Sequence, residues 1–474
     1  MIAIRYNNVN AYVEGDLLEI AEISKMLTWT DKGARFTSAY KKGRWSGKRT
    51  VWSVKYQMFP TGLLDAVVHN LRKLRIQVMV QDIREKPNID IHEVQMHDGL
   101  ELWEHQQKAV DAFDASNGRG IIKLATRSGK TVIAGAIIQK LGLPSLFITP
   151  GKSLMDQTVK EFERKFGLEC GRCGDGKWEL DAPVVVGIVN SLSNQIGKDG
   201  DKALDIARLY ERVQVAVFDE CHLSSDSYQK ISRSLKKAYY RVGLSATPLD
   251  GDKGQRLQTV GMTGPIIFSV ETEEMVQKGA IARPEVLFIQ NESLVPYCQD
   301  WDQEYYIGIV ANDDRNLKVC IAAVKLVKRR QMSVLMLVQS LEHGTRLLGL
   351  LRDKRPDVKT DYVHGEHSLE RRKEALFQLQ TGTLDVLIAS NIFNQGIDIP
   401  LLDAVVIAGG YRAPILTKQR YGRPITKAGE KESGLIVDFF DTGGRWLQKH
   451  SEERMRVCEN DKAFTVRVIE LKDL

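Results

Sequence analysis

Apolar runs of strand length alternate with amphipathic stretches along most of this chain. Val215-Ala216-Val217-Phe218 is continuously apolar, and the segments 333–338, 385–390 and 434–441 carry similar apolar centres. Such runs suit parallel strands covered on both faces, where no side of the strand meets water. Gly120-Ile121-Ile122-Lys123-Leu124 reads as a further strand, and after a short turn Thr131 to Lys140 reads as a helix. Gly434 to Asp441 reads as the last core strand, and Arg445 to Asn460 as a charged helix with Trp446 and Leu447 facing the core. Strand and helix in alternation predict an α/β architecture with parallel sheets.

Length adds a domain count. At 474 residues, 43% hydrophobic and 27% charged, the chain can bury more than one core, and about three domains are expected. The expected division is a small basic N-terminal domain of α+β type over 1–92, a first motor domain over 93–282 and a second over 283–474, with a connector at Ile281-Ala282-Arg283-Pro284. Six scattered cysteines do not form a disulfide scaffold and point to a reducing compartment. Cys170-Gly171-Arg172-Cys173 has metal-like spacing but no second ligand pair, and reads as a loop with two free thiols. No apolar run is long enough to span a membrane, so a soluble cytoplasmic protein is expected.

Two segments carry the chemistry. Leu124-Ala125-Thr126-Arg127-Ser128-Gly129-Lys130-Thr131 fits the end of a phosphate-binding loop, although Leu124 stands where a glycine is usual. A strand leading through this turn into a helix would aim backbone N–H groups of Thr126, Arg127, Ser128 and Gly129, and the helix N-terminus, at phosphate. Lys130 would lie on the β and γ phosphates of ATP, and the Thr131 hydroxyl on Mg2+. The run Val215 to Phe218 ends in Asp219 and Glu220; Asp219 would hold Mg2+ and Glu220 would orient and deprotonate the attacking water.

Asp219-Glu220-Cys221-His222 followed by Ser245-Ala246-Thr247 resembles the nucleotide and coupling motifs of superfamily 2 helicases of the DExH kind. Further segments follow in family order. Leu102-Trp103-Glu104-His105-Gln106 is similar to the adenine-reading segment, with Gln106 the reader, and Phe147 to Leu154 to the first strand-contacting segment. Tyr362-Val363-His364-Gly365-Glu366 and Ser390-Asn391 through Gly396-Ile397-Asp398 resemble segments that meet the nucleic-acid backbone and relay its presence to ATP. The resemblance covers roughly residues 98–445. It implies two tandem RecA-like parallel-sheet domains, with ATP between them and nucleic acid across their top. It further implies coupling by His222, Ser245 and Thr247, nucleotide contacts from Gly396 and Asp398, and backbone contacts from Thr149, Lys152, Ser191, Gln339, His364, Ser390 and Asn391.

The arginine motif departs from the family. Gln419-Arg420-Tyr421-Gly422-Arg423 is followed by Pro424-Ile425-Thr426, where the family pattern has a further arginine at position 426. Arg423 therefore takes most of the finger role, with Gln419 and Arg420 assisting. Lys427 would restore charge but not the planar fork of a guanidinium, so slower hydrolysis is expected.

The N-terminal segment bears on substrate. Eight basic residues lie between Lys32 and Lys55 with no acidic residue among them, and Tyr40, Trp45 and Trp52 interleave. Arg44, Trp45, Lys48 and Arg49 are the candidate nucleic-acid contacts. Either the aromatics are exposed and stack on unpaired bases, or a hairpin packs its tryptophans inward beneath a solvated basic face. The formal net charge of +6 is modest and decides nothing by itself. Tyr40 to Lys48 followed by Met58-Phe59-Pro60-Thr61-Gly62-Leu63 resembles the N-terminal domain of UvsW-type phage recombination helicases. That resemblance implies branched or forked DNA as partner, junction migration and fork regression as activities, and a host cytoplasmic location.

An RNA helicase, a restriction-type duplex translocase and an ATP-gated DNA clamp remain as alternatives, since they share the motor or, for the clamp, follow from Thr426. A monomer is the simplest oligomeric state, and protein partners are not legible in the sequence.

Overall fold

The computed structural model describes residues 1–88, 92–125, 128–278, 282–390, 402–410 and 433–474. The chain forms two compact units, Met1–Val270 and Glu271–Leu474.

The first unit holds two sheets. The N-terminal one has four strands in the order Met58–Pro60, Asn10–Glu14, Ile2–Tyr6, Val78–Asp82. The first two pairings are antiparallel and the last is parallel. Ile2, Ile4, Tyr6, Ala11 and Val13 alternate onto one face and pack with Ile20, Ile23, Val67 and Leu71 of the helices Leu17–Met26 and Leu64–Lys73. This is the α+β arrangement expected. A separate hairpin, Thr28–Thr30 with Lys48–Thr50, carries the basic segment.

The larger sheet runs Lys177–Trp178, Cys170–Gly174, Val184–Ile188, Ser145–Thr149, Val215–Asp219, Tyr240–Ser245, Arg119–Leu124, Ile266–Val270. Every pairing but the first is parallel. Helices cover both faces, which explains why its central strands are fully apolar. Cys170 to Gly174 is thus a strand, second from the edge of the sheet, and not a loop; both cysteines are free thiols.

The N-terminal sheet is seated on the larger one's helix Lys253–Thr263. Gly62 lies so close to the Val260 carbonyl that no Cβ fits, and Gly254 lies equally close to the Trp29 indole. Lys253 Nζ donates to Thr28 O at 2.8 Å. Arg84 fastens the exit from the small sheet: its side chain is buried, bonds Asp82 and Asn117, and lies 4.3 Å from the Tyr239 ring centre.

The second unit has a seven-stranded, wholly parallel sheet, ordered Thr360–Val363, Val386–Ala389, Val334–Leu337, Ala404–Ile407, Ser433–Asp441, Arg283–Asn291, Thr465–Ile469. Of the expected connector, Arg283 and Pro284 are the first residues of the strand Arg283–Asn291, and Ile281 lies outside the described residues. Ser433–Asp441 is not the last strand, because Thr465–Ile469 adds an edge strand beyond the helix Arg445–Glu459. Leu447 packs inward as expected. Arg454, a basic residue on this charged helix, is fully buried and forms a forked pair with Asp438 at 2.8 and 3.2 Å.

Candidate nucleotide and nucleic-acid sites

The phosphate-loop turn ends at Gly129, whose φ of 86° is left-handed, and the helix Lys130–Leu141 begins immediately. A side chain at Gly129 would strike Gln106. Gln106 sits in the first turn of the helix Glu104–Asp114 and is buried against this turn: its Nε2 donates to Ser128 O at 3.3 Å, while its Oε1 accepts from Trp103 N at 3.0 Å. His105 Nε2 lies 2.8 Å from the same Ser128 carbonyl, a contact that sequence reasoning passed over although its neighbour Gln106 was singled out. The Ser128 hydroxyl folds back onto Ala125 O at 2.8 Å. Thr126 and Arg127 lie outside the described residues.

The strand Val215–Asp219 delivers its carboxylate at the C-terminal edge of the sheet, beside Leu244 of the next strand. Glu220 follows in a left-handed conformation, φ 47° and ψ 47°, a strained backbone for a non-glycine residue that turns its carboxylate toward the loop. Lys130 Nζ donates to Glu220 Oε1 at 2.6 Å. Glu220 Oε2 lies 3.3 Å from His222 Nδ1, which is 2.9 Å from Ser245 Oγ; that oxygen in turn accepts from Thr247 N at 3.0 Å. A continuous polar path thus joins Lys130, Glu220, His222, Ser245 and Thr247, the residues named for catalysis and coupling. Tyr228 braces it by donating to the Asp219 carbonyl at 3.0 Å, a role without any sequence signal at nine residues' remove.

The electrostatics follow from burial. Desolvation and the neighbouring Glu220 push the Asp219 carboxyl well above the usual carboxylate range. For Glu220 desolvation acts in the same direction, but Lys130 and His222 outweigh it and hold the carboxyl low; the Lys130 ammonium is held charged by Glu220 and Asp219 against its own burial. Burial lowers the pKa of His222 against the pull of Glu220, and its Nε2 is buried with no hydrogen-bond partner among the described residues. A buried carboxylate that Lys130 compensates only partly is a donor suited to a hard divalent cation, and Lys130 with the helix start suits phosphate. Asp219 therefore fits the Mg2+ of an Mg-nucleotide.

The other expected residues sort by sheet edge. Thr149 ends the strand Ser145–Thr149 and Ser191 follows the adjacent parallel strand Val184–Ile188, with Lys152 starting the next helix. Thr149 is fully enclosed and its hydroxyl has no partner among the described residues, whereas Lys152 is exposed and paired with Asp175. In the second unit Gln339, His364 and Ser390 follow three neighbouring parallel strands at one edge; Gln339 is exposed, His364 is half-buried 4.0 Å from His367 by ring centres, and Ser390 is buried with its N–H on Val363 O. Asn391, Gly396, Asp398, Gln419, Arg420 and Arg423 lie outside the described residues.

On the N-terminal hairpin, Arg44, Lys48 and Arg49 are exposed. Arg49 pairs with Asp31 at 2.6 Å, and Trp45 is half-buried with its indole N–H on Lys48 O at 3.0 Å. Trp52 is buried in the N-terminal core, so that tryptophan packs inward.

A parallel sheet with a phosphate loop, an acidic pair at its strand edge and a histidine-serine relay is the constellation of an ATP-driven nucleic-acid motor. Family models match in two places: Type III restriction enzyme, res subunit, over residues 99–250, and Helicase conserved C-terminal domain over residues 317–426. The chain belongs to the superfamily 2 helicases and is an ATP-hydrolysing helicase. It is similar to the ATP-dependent DNA helicase uvsW of Enterobacteria phage T4, 25% identical over 491 residues that cover 93% of each chain. It is also similar to the DNA 3'-5' translocase XPB2 of Sulfurisphaera tokodaii, 24% identical over 85% of this chain and 94% of that one. Among solved structures, a fragment of a putative HsdR subunit of a type I restriction enzyme from Vibrio vulnificus shares the fold, with a TM-score of 0.57 and 20% identity over 81% of this chain and 70% of that one. Among the described residues no helix is long and apolar enough to cross a membrane.

Proposed function

We propose that this helicase remodels branched or forked DNA, migrating four-way junctions and regressing forks. The observation that carries this reading is the basic hairpin Thr28–Thr30 with Lys48–Thr50, seated on the motor through Trp29 and Lys253. A positive element fixed to the motor beside its sheet can hold a second DNA arm while the motor advances on the first. Similarity to a phage DNA helicase and to a DNA 3'-5' translocase supports DNA as the track and 3'-5' as the polarity.

In this reading the division of labour is 1–92 for DNA capture and 93–282 and 283–474 for the motor. Lys130, Ser128, Gly129, Thr126 and Arg127 bind phosphate, and Gln106, which borders the loop, reads adenine. Mg2+, held by Asp219 and Thr131, supplies charge neutralisation when bound. Glu220 leaves Lys130 to take the proton of the attacking water, while Arg423, with Arg420 and Gln419, is assigned to the transition-state charge and Gly396 and Asp398 to the nucleotide. His222, Ser245 and Thr247 relay phosphate state. Lys152, Ser191, Gln339, His364, Ser390, Asn391 and Thr149 are assigned to the DNA backbone, the last requiring local opening because it is enclosed.

The test is ATP hydrolysis together with product formation on a synthetic four-way DNA junction, with Glu220→Gln in parallel and structured RNA as competitor. ATP-dependent conversion of the junction into duplexes, absent in the variant, supports the reading. Hydrolysis without rearrangement, or preference for the RNA, sinks it.

A further inference from the structure

We propose that Phe36 is a stacking site for an unpaired nucleobase at the DNA branch point, with Arg35 taking the adjoining phosphate. This rests on the branched-DNA reading above and names the residue that would distinguish a branch from a continuous duplex.

The structure removes the more obvious aromatics from this role. Trp52 is buried in the N-terminal core. The Trp45 indole is tied to Lys48 O, with the Arg49 guanidinium 5.7 Å from its ring centre. Tyr40, 43% exposed, lies with its ring edge against Gly47, where a Cβ would come within 2.9 Å of it. Phe36 is left at 70% exposure. It closes the short helical turn Ala34–Phe36, whose own Ala34 is buried.

That turn is held on both sides. Gly33 N donates to Asp31 Oδ1 at 2.8 Å, the Thr37 hydroxyl donates to Ala34 O at 2.8 Å, and Tyr40 N donates to Thr37 Oγ1 at 3.3 Å. The ring is therefore presented outward on an ordered platform. Arg35 lies over it at 4.8 Å from the ring centre, leaving the opposite face for a planar partner.

Charge selects the occupant. Lys32, Arg35, Lys41, Lys42, Arg44, Lys48 and Arg49 surround the ring in sequence, and the one acidic residue of the hairpin, Asp31, is engaged by Arg49 at 2.6 Å. A cationic collar around an open aromatic face matches a polyanion that also offers flat apolar rings, which is unpaired DNA. Continuous duplex offers phosphate but no free base face, so the ring would contribute only where pairing is broken.

The experiment uses the full chain without nucleotide, bound to a four-way junction carrying 2-aminopurine beside the branch point, and to a matched continuous duplex carrying the same probe. Wild type is expected to quench the probe at the branch only. Phe36→Ala should abolish the quench and weaken junction binding about 10-fold, while duplex binding stays within about twofold. Phe36→Trp should keep both the quench and the affinity. Undiminished quenching by Phe36→Ala overturns the stacking site; so does a loss of self-association or protein binding in that variant with the quench unchanged. If wild type instead converts no junction with ATP, the branched-DNA reading itself has failed, a result separable from loss of the Phe36 contribution alone.

Discussion

Lys130 and Glu220, ninety residues apart in sequence, meet at 2.6 Å through Nζ and Oε1, so the candidate phosphate-binding cation and the candidate base neutralise each other. Nucleotide must separate them. Glu220→Gln should therefore bind ATP at least as well as wild type, because Lys130 is released, yet lose hydrolysis by about 10²- to 10⁴-fold. Lys130→Ala should lose binding itself. Equilibrium binding of a fluorescent ATP analogue alongside steady-state hydrolysis checks both; a glutamine variant that turns over normally would remove Glu220 from the chemistry.

Gly62 lies against the Val260 carbonyl with no space for a Cβ. Gly62→Val should cost about 1–3 kcal/mol, the usual penalty for overpacking, and should loosen the N-terminal sheet from the motor. DNA-independent hydrolysis should survive while DNA stimulation falls. Calorimetry and limited proteolysis of the segment between Asp82 and Glu104 would register the change; an unaltered cleavage pattern would argue against a fixed seat.

His343 is fully buried, with Nε2 2.9 Å from Asn316 Oδ1. Burial, reinforced by Arg315 and Arg346, lowers its pKa from 6.5 to about 3. The unfolded chain binds this proton first, so the histidine's contribution is intact above about pH 6.5 and is lost as pH falls toward 3. Thermal melts from pH 7.5 to 5 should show a fall in Tm that His343→Gln makes shallower. Parallel slopes in the two proteins would contradict this.

Arg454 and Asp438 form a buried forked pair. Removing one partner strands the other charge, so Arg454→Ala should cost about 3–5 kcal/mol. Exposed Arg456→Ala should change stability by less than about 0.5 kcal/mol. Urea titration distinguishes them, and equal costs would reject the buried-pair account.

The motor was largely legible because its chemistry sits where sequence pattern changes: an apolar run ends in Asp219-Glu220, and another turns into Lys130-Thr131. The helix begins one residue earlier than its apolar face suggests, at Lys130, because Gly129 can take the left-handed turn that starts it. Orientation was less legible. Trp45 and Trp52 look alike in a short basic segment without strand alternation, and only packing shows one half-buried and one in the core. Phe36 carried no signal, since an apolar residue between Arg35 and Thr37 is ordinary until its exposure is known. Arg454 was equally opaque: a basic residue on a charged helix is expected outside, and its partner Asp438 lies on a strand sixteen residues earlier. The edge strand Thr465–Ile469 escaped because its alternating, half-exposed pattern differs from the buried strands that precede it.

The contact of Gly62 with Val260, and of Trp29 with Gly254, leaves no slack between the basic hairpin and the helix Lys253–Thr263, which begins six residues after Thr247. In any machine that pulls, compliance between grip and engine wastes stroke. Here backbone rests on backbone and an indole abuts a helix, so a displacement of that helix is carried to the hairpin, and under the proposed function the hairpin behaves as an arm of the engine's frame.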